Sequence, residues 1–231
     1  MRQKVVVLTG AGISAESGIK TFRDADGLWE GHDVMEVASP QGFARNPELV
    51  LDFYNQRRKQ LLDVLPNNAH EALMHLEEQF DVSIITQNVD DLHERAGSNH
   101  ILHLHGELLK VRCTKNERLV SDWRNDLFLG DLSVDGYQLR PHIVWFGEQV
   151  PLLEKAIEIT ATADILIIIG TSMQVYPAAG LIHEVSSKTP IYFIDPKPSV
   201  AKKDFKNLTV IAESATAGVP TLVADLLRTA T

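Results

Sequence analysis

The chain has 231 residues, 44% of them hydrophobic and 23% charged, which suits a globular protein with apolar material for one large domain and a small insert. Its formal net charge of −9 argues against a nucleic-acid binder, which needs a basic face to neutralise phosphates, and leaves room for lysine-rich protein substrates. One cysteine, Cys113, excludes an intramolecular disulfide, and no apolar run reaches the roughly 18 residues of a membrane span, so the expectation is a cytoplasmic protein with no membrane partner.

The β-branched run from Val5 to Leu8 predicts a buried first strand. It is too short for a signal peptide, and Thr9, Gly10 and Glu16 follow without a cleavage-type site. The strand breaks at Gly10-Ala11-Gly12 and runs into a segment able to start a helix, where unpaired amides and a helix dipole favour phosphate. Gly10-x-Gly12-x-x-Ala15 fits the dinucleotide fingerprint, with an ordinary glycine-rich turn as the plainer alternative. A dehydrogenase would place a second strand ending in an acid about 20 residues further on. Here a polar loop follows, with Asp24 and Asp26, and the next clear strand starts near Val82.

Asn46-Pro47-Glu48 predicts a helix start, with Leu49, Phe53, Leu61 and Leu65 as its apolar face and Pro66 as its end. Asn68 is expected to cap a second helix presenting Ala72, Leu73, Leu76 and Phe80. Val82 to Thr86 reads as a strand, Asp90 to Ala96 as a helix stopped by Gly97, and Ile101 to His105 and Leu108 to Cys113 as short strands around Gly106-Glu107. Residues 114–140 are polar and aperiodic, with Trp123, Phe128 and Tyr137 as isolated anchors, and predict a small inserted module. The apolar run resumes at Ile143 to Phe146, and a helix covers about Leu152 to Thr162. Ile165 to Ile169, without polar alternation, predicts a central parallel strand ending in Gly170-Thr171-Ser172. A helix from Pro177 to about Ser187, strands at Ile191 to Ile194 and Leu208 to Ile211, and a helix over Val219 to Leu227 complete the chain. The predicted fold is α/β, a Rossmann-like doubly wound parallel sheet with a helical insertion near 31–80 and a small inserted module near 111–142. The core comprises residues 1–30, 81–110 and 143–231.

Five motifs occur in order: GAGISAESGIKTFR (10–23), TQNVDDLHERAG (86–97), LHLHGEL (102–108), PHIVWFGE (141–148) and GTSMQVYPAAG (170–180). Through them the chain resembles the sirtuins, NAD-dependent protein lysine deacylases, over nearly its whole length, so that 1–231 would be a single catalytic domain. The resemblance implies a reaction in which the nicotinamide–ribose bond of NAD is cleaved, the acyl group moves to ADP-ribose, and nicotinamide, O-acyl-ADP-ribose and free lysine leave. A ribose hydroxyl must lose a proton, a task suited to histidine. His105, followed by Gly106, matches the family's general base; a strand-end histidine is otherwise more often structural. His103, two residues back on the same strand face, reads as a core or supporting residue, since no further ligands stand at metal spacing.

The same resemblance implies that Gln87, Asn88 and Asp90 serve the nicotinamide side, with Asn88 also catalytic, although Asn88 and Asp90 also suit a helix N-cap. Gly10, Ala11, Gly12, Ile19, Phe22, Arg23 and Asp24 match the NAD-binding turn and its lid, Phe22 shielding the reacting sugar carbon from water. Gly170, Thr171 and Ser172 match the second phosphate and adenosine site. Asp195 stands where the family commonly has asparagine, and Ala215 matches the adenine end by position alone. Val144, Phe146, Gly147 and Glu148, with Val175 and Tyr176, match the segments that hold an acylated peptide as an added strand.

Tyr54 and Arg57 match the Tyr-x-x-Arg pair of the desuccinylase and demalonylase class, and Ala38 its small pocket residue. Three residues apart on a helix, the pair shares a face and can hold a carboxylate, whereas Arg57 beside Arg58 and Lys59 also reads as a solvated charge run. Acetyl removal is expected alongside succinyl and malonyl removal. The departure from the family is at its structural zinc: Cys113 alone remains of the cysteine pairs, one thiolate cannot build the site, and no zinc is expected. Trp123, Phe128, Leu132 and Tyr137 are expected to cluster in its place, and Cys113 to be a buried strand thiol. An NAD hydrolase or ADP-ribosyl-transfer enzyme, and a non-catalytic NAD-sensing module, remain the competing readings.

Overall fold

The computed structural model describes residues 2–20, 28–201 and 203–229. In chain order the elements are β1 (Lys4–Thr9), β2 (Leu28–Trp29), β3 (His32–Asp33), α1 (Val34–Val37), α2 (Pro40–Arg45), α3 (Pro47–Asp63) and α4 (Asn68–Leu76). Then come β4 (Asp81–Thr86), α5 (Leu92–Ala96), β5 (Ile101–His103), β6 (Gly106–Cys113), β7 (Val120–Asp122), β8 (Leu139–Ile143) and α6 (Leu153–Ala161). β9 (Ile165–Ile169), β10 (Ile191–Ile194), β11 (Leu208–Ile211) and α7 (Ala215–Thr229) close the chain. Short 3₁₀ turns lie at Ala11–Ile13, Ala15–Ser17 and Ala178–His183.

Six parallel strands form one sheet in the order β11-β10-β9-β1-β4-β5. Alternate residues of a strand point to opposite faces, and both faces are covered, so β1 and β9 are apolar without alternation. Val5, Val7, Ile165, Ile167 and Ile169 pack with Leu73 and Leu76 of α4 and Val219 and Val223 of α7. Val6, Leu8, Leu166 and Ile168 pack on the other side with Ala156 of α6 and with Leu181 and Ile182. The doubly wound sheet agrees with the expectation from sequence, and Ile165–Ile169 lies inside it. A separate antiparallel sheet, β7-β6-β8, forms the small module.

Four local expectations need correction. Asn67, extended at φ −113° and ψ 175°, caps α4 by accepting from the Ala69 amide, and His70 Nδ1 reaches back to the Asn67 amide; Asn68 lies one residue inside. Leu65 is 71% exposed because α3 ends at Asp63, beyond which the chain leaves the core. After Pro177 the chain forms a 3₁₀ turn, its amides bonding three residues back as Gly180 does to Pro177, and not a helix to Ser187. In the module, Phe128, Leu132 and Tyr137 are 60%, 55% and 48% exposed, and Leu127 takes the buried place. Leu127 packs with Leu51, Val111 and Leu139, and Trp123 lies at the margin of that cluster. The reason is a polar one: Asn55 of α3 donates to the Leu127 carbonyl at 3.0 Å and accepts its amide at 2.8 Å, which turns that residue inward. Cys113 is buried at the end of β6, its Sγ accepting from Ser133 Oγ and the Lys115 amide, as its strand position predicted. Among the described residues no helix is long and apolar enough to cross a membrane.

Candidate active site

Of the predicted site residues, Gly10, Gly12, Gln87, Asn88, Asp90, Gly170 and Thr171 come together where β1, β4 and β9 end. Two turns cross there in direct contact: the Gly12 amide donates to the Gly170 carbonyl at 2.8 Å, and the Gly10 amide to the Ile169 carbonyl at 3.0 Å. A β-carbon on Gly12 would lie 2.5 Å from Gly170 Cα, and Gly170 itself sits at φ +60°, a region that favours glycine. The two fingerprint amides are thus spent on joining the turns, and the glycines serve close approach. Gln87 Nε2 donates to Thr171 Oγ1 at 3.1 Å, tying the β4 turn to the β9 turn.

Below this crossing lies a buried polar group. Ser14 Oγ donates to Asp90 Oδ2 at 2.9 Å and accepts from Asn88 Nδ2 at 3.2 Å. Asp90 Oδ1 accepts the Leu92 amide at 3.2 Å, at the first residue of α5, whose N-cap is Asp91 and neither Asn88 nor Asp90. Burial pushes the Asp90 carboxyl up to about 6, against the Ser14 and Leu92 hydrogen bonds that favour its charge. Thr86 Oγ1 accepts the Asn88 amide at 3.0 Å and a proton from Thr9 Oγ1 at 2.8 Å. The Thr9 hydroxyl, having given its hydrogen away, accepts from His93 Nε2 at 3.1 Å. His93 packs edge-on against His70 with ring centroids 4.9 Å apart, and burial holds both imidazoles neutral, His70 down at about 4.

The two histidines of the LHLHG motif have different protonation. His105 Nδ1 meets the Gln87 carbonyl at 3.0 Å. A carbonyl only accepts, so Nδ1 carries the hydrogen and Nε2 is left as the basic nitrogen. Burial lowers the His105 pKa, partly offset by that carbonyl, which keeps the ring neutral at neutral pH. His103 gives Nδ1 to the Asn88 carbonyl at 3.1 Å and Nε2 to Glu94 Oε1 at 2.7 Å. Burial opposes its charge, but the Glu94 pairing prevails and raises its pKa. His103 therefore supports Asn88, in line with a supporting role and not a metal one.

The peptide-side segment runs out of β8. The Val144 amide bonds the His105 carbonyl and the Phe146 amide the Ala38 carbonyl, both at 2.9 Å. Phe146 and Tyr176 are 40% and 72% exposed. The Glu148 side chain instead faces inward: it accepts from Arg140 Nη1 at 2.6 Å, Arg112 Nη2 at 3.1 Å and the Trp145 amide at 2.8 Å. These cations and the amide hold its carboxyl below the usual range despite burial. Glu148 shapes the loop from within. On α3, Tyr54 is 1% exposed and its hydroxyl accepts from Trp145 Nε1 at 2.9 Å. Arg57, half-buried, lies over the Phe53 ring at 5.0 Å, and its Nε is buried with no hydrogen-bond partner.

At the far end, the Glu16 carboxylate accepts the Thr216 amide at 3.1 Å and the Ser214 hydroxyl at 3.2 Å, fixing the start of α7 beside the first turn. Asp195, 2% exposed, accepts the Lys197 amide at 2.8 Å, and Ala215 opens α7. Ala11 and Ile19 flank the first turn, Gly147 and Val175 lie on the two peptide-side segments, and Ser172 follows Thr171. Phe22, Arg23 and Asp24 lie outside the described residues. Ser14, Glu16 and Trp145 were not singled out from sequence. Ser14 alone carried a signal there, as the one small polar residue inside the glycine turn.

The Sir2 family profile matches residues 10–177. The chain is 61% identical over 228 residues to a Helicobacter pylori protein named NAD-dependent protein deacylase, with 99% of both chains covered. It is similar to a solved Sir2 homologue–NAD complex at a TM-score of 0.88 and 38% identity, covering 100% of this chain and 91% of that one. A solved Sir2 bound to acetylated peptide matches at a TM-score of 0.78 and 28% identity, covering 99% and 93%. With its glycine crossing, its buried Ser14–Asn88–Asp90 group and its neutral His105 in place, the chain belongs to the Sir2 family.

Proposed function

We propose that this NAD-dependent protein deacylase removes acidic acyl groups, succinyl and malonyl, from protein lysines alongside acetyl. NAD is consumed as co-substrate and supplies the ribose carbon that takes the acyl oxygen as nicotinamide leaves. The donor set suits it: Gln87, Asn88, Asp90 and Ser14 offer amide and carboxyl partners to a carboxamide and hydroxyl-rich ligand. His105 Nε2 takes the ribose proton as general base, its tautomer fixed by the Gln87 carbonyl. Gly10, Ala11, Gly12 and Ile19 serve the phosphate and sugar side, to which Phe22, Arg23 and Asp24 are assigned by their motif match alone, Gly170, Thr171 and Ser172 the second phosphate, and Asp195 and Ala215 the adenosine end. Val144, Phe146, Gly147, Val175 and Tyr176 hold the peptide, and Glu148 shapes that loop.

The observation that carries the acidic-acyl reading is the buried Arg57 Nε with no partner, one turn from Tyr54 on α3. A buried guanidinium nitrogen without an acceptor is costly, and a ligand carboxylate supplies one. Ala38, 3% exposed and bonded through its carbonyl to the Phe146 amide, is the small residue that the family resemblance assigns to the acyl pocket. The test is a panel of acetyl-, malonyl- and succinyl-lysine peptides with NAD, following nicotinamide and O-acyl-ADP-ribose. In Arg57→Met, kcat/KM on succinyl-lysine is expected to fall at least about 10-fold relative to acetyl-lysine, the effect of one charged hydrogen bond. Equal losses on both would sink the reading.

A further inference from the structure

The Tyr54 hydroxyl is buried, and its one recorded partner is Trp145 Nε1, which donates to it at 2.9 Å. An indole N–H can donate but never accept, so the Tyr54 hydrogen cannot return to Trp145. Among the described residues no acceptor for that hydrogen is recorded. Burial raises the Tyr54 pKa, so the phenol keeps its proton and remains a donor. One turn along α3, the buried Arg57 Nε–H is in the same condition. Among the described residues both donors on this helix face lack acceptors, and the one hydrogen bond made to either group is that from Trp145 Nε1 to the Tyr54 hydroxyl.

Trp145 is itself held firmly. Arg140 lies over its ring, with Cζ 3.3 Å from the centroid, and Glu148 accepts its backbone amide at 2.8 Å while binding Arg140. Phe43 packs against the ring at 5.3 Å, and the Tyr54 ring lies 6.3 Å away at an interplanar angle of 30°.

We propose that Trp145 is a specificity-determining residue: by occupying the acceptor side of the Tyr54 hydroxyl, it commits that O–H to donate, so that Tyr54 and Arg57 together favour acyl groups ending in a carboxylate. The inference rests on the acidic-acyl reading of this deacylase. A terminal methyl leaves both donors unmet, whereas a carboxylate accepts both. A site built to donate discriminates against the ligand that cannot accept. Trp145 acts through Tyr54 and is a positioning residue toward the acyl group.

The test compares wild type, Trp145→Phe, Tyr54→Phe and the double variant on succinyl- and acetyl-lysine peptides at saturating NAD. Phenylalanine at 145 keeps an aromatic ring but removes the N–H together with the five-membered ring of the indole, so the acetyl substrate serves as the control for lost packing. The succinyl-to-acetyl ratio of kcat/KM is expected to fall about fivefold in Trp145→Phe, through KM for the succinyl peptide. Tyr54→Phe should lower the ratio by about tenfold, and adding Trp145→Phe to it should lower the ratio no further. A general packing defect would reduce both substrates together. Equal losses in Trp145→Phe, or multiplying losses in the double variant, would overturn the inference. Should Trp145→Phe not fold, Tyr54→Phe still decides, because an unmoved ratio there overturns it. A wild-type enzyme without succinyl turnover removes the acidic-acyl reading and this inference together. Succinyl turnover that depends on Arg57 but not on Trp145 removes the inference alone.

Discussion

The six-stranded sheet and the three-stranded module are held together by different means. In the sheet, both faces of β1 and β9 are apolar, and order follows from burial: Val5 and Val7 go one way, Val6 and Leu8 the other. The polar groups at its end are spent on each other, Ser14 on Asp90 and Thr9 on Thr86. The apolar cluster between the module and α3 joins Val111, Leu127 and Leu139 of the module to Leu51 of α3, and polar bonds from α3 add to it. Asn55 holds the Leu127 backbone in both directions, Arg58 reaches the Leu108 carbonyl at 3.3 Å and Asn55 Oδ1 at 2.8 Å, and Lys59 pairs with Asp126. Under the proposed function the difference separates chemistry from its support: the sheet end is assigned the reaction, while the module bonds to the helix that carries Tyr54 and Arg57.

The contrast can be broken from either side. His105→Ala should reduce kcat about 100- to 10,000-fold with the melting transition nearly kept, because the ring makes one hydrogen bond, to the Gln87 carbonyl. Turnover within a few fold of wild type would remove it as the base. Asn55→Ala should destabilise the chain by about 2–4 kcal/mol in urea unfolding, since it leaves the Leu127 amide and carbonyl and the buried Arg58 unsatisfied. A change under about 0.5 kcal/mol, the range of ordinary surface substitutions, would show that the apolar cluster alone holds the module. The smallest expected effect is that of metal removal: treatment with a strong zinc chelator should leave both melting and turnover where they were, and elemental analysis should find no stoichiometric zinc. One zinc per chain would reverse the reading of Cys113, which stands among described residues that form no metal-ligand cluster.

The legible parts of the sequence were those in which one local pattern decides the outcome. The apolar runs at Val5 and Ile165 set the sheet, and five short motifs marked the family, because their residues lie within a few positions of one another. What sequence did not reveal depended on distant pairs. Leu127 goes inward in place of Phe128 because Asn55, 72 residues away, binds its backbone. Trp145 meets Tyr54 across 91 residues, a contact no periodicity announces. Glu148 matched a peptide-side motif, yet its carboxylate turns to two arginines on the module's strands, whose positions follow from the register of β6 and β8. Asn67 in place of Asn68 as a cap was a choice between two equivalent neighbours, settled by His70 closing the return bond.

Asn55 grips Leu127 only through main-chain atoms. The grip is therefore blind to most of the side chains around it. Provided position 127 stays apolar and its backbone keeps its course, neighbouring positions such as 128, 132, 134 and 137, all exposed, are free to drift without disturbing α3. One asparagine reading the amide and the carbonyl of a single residue thus asks for a backbone course and not for a set of matched side chains.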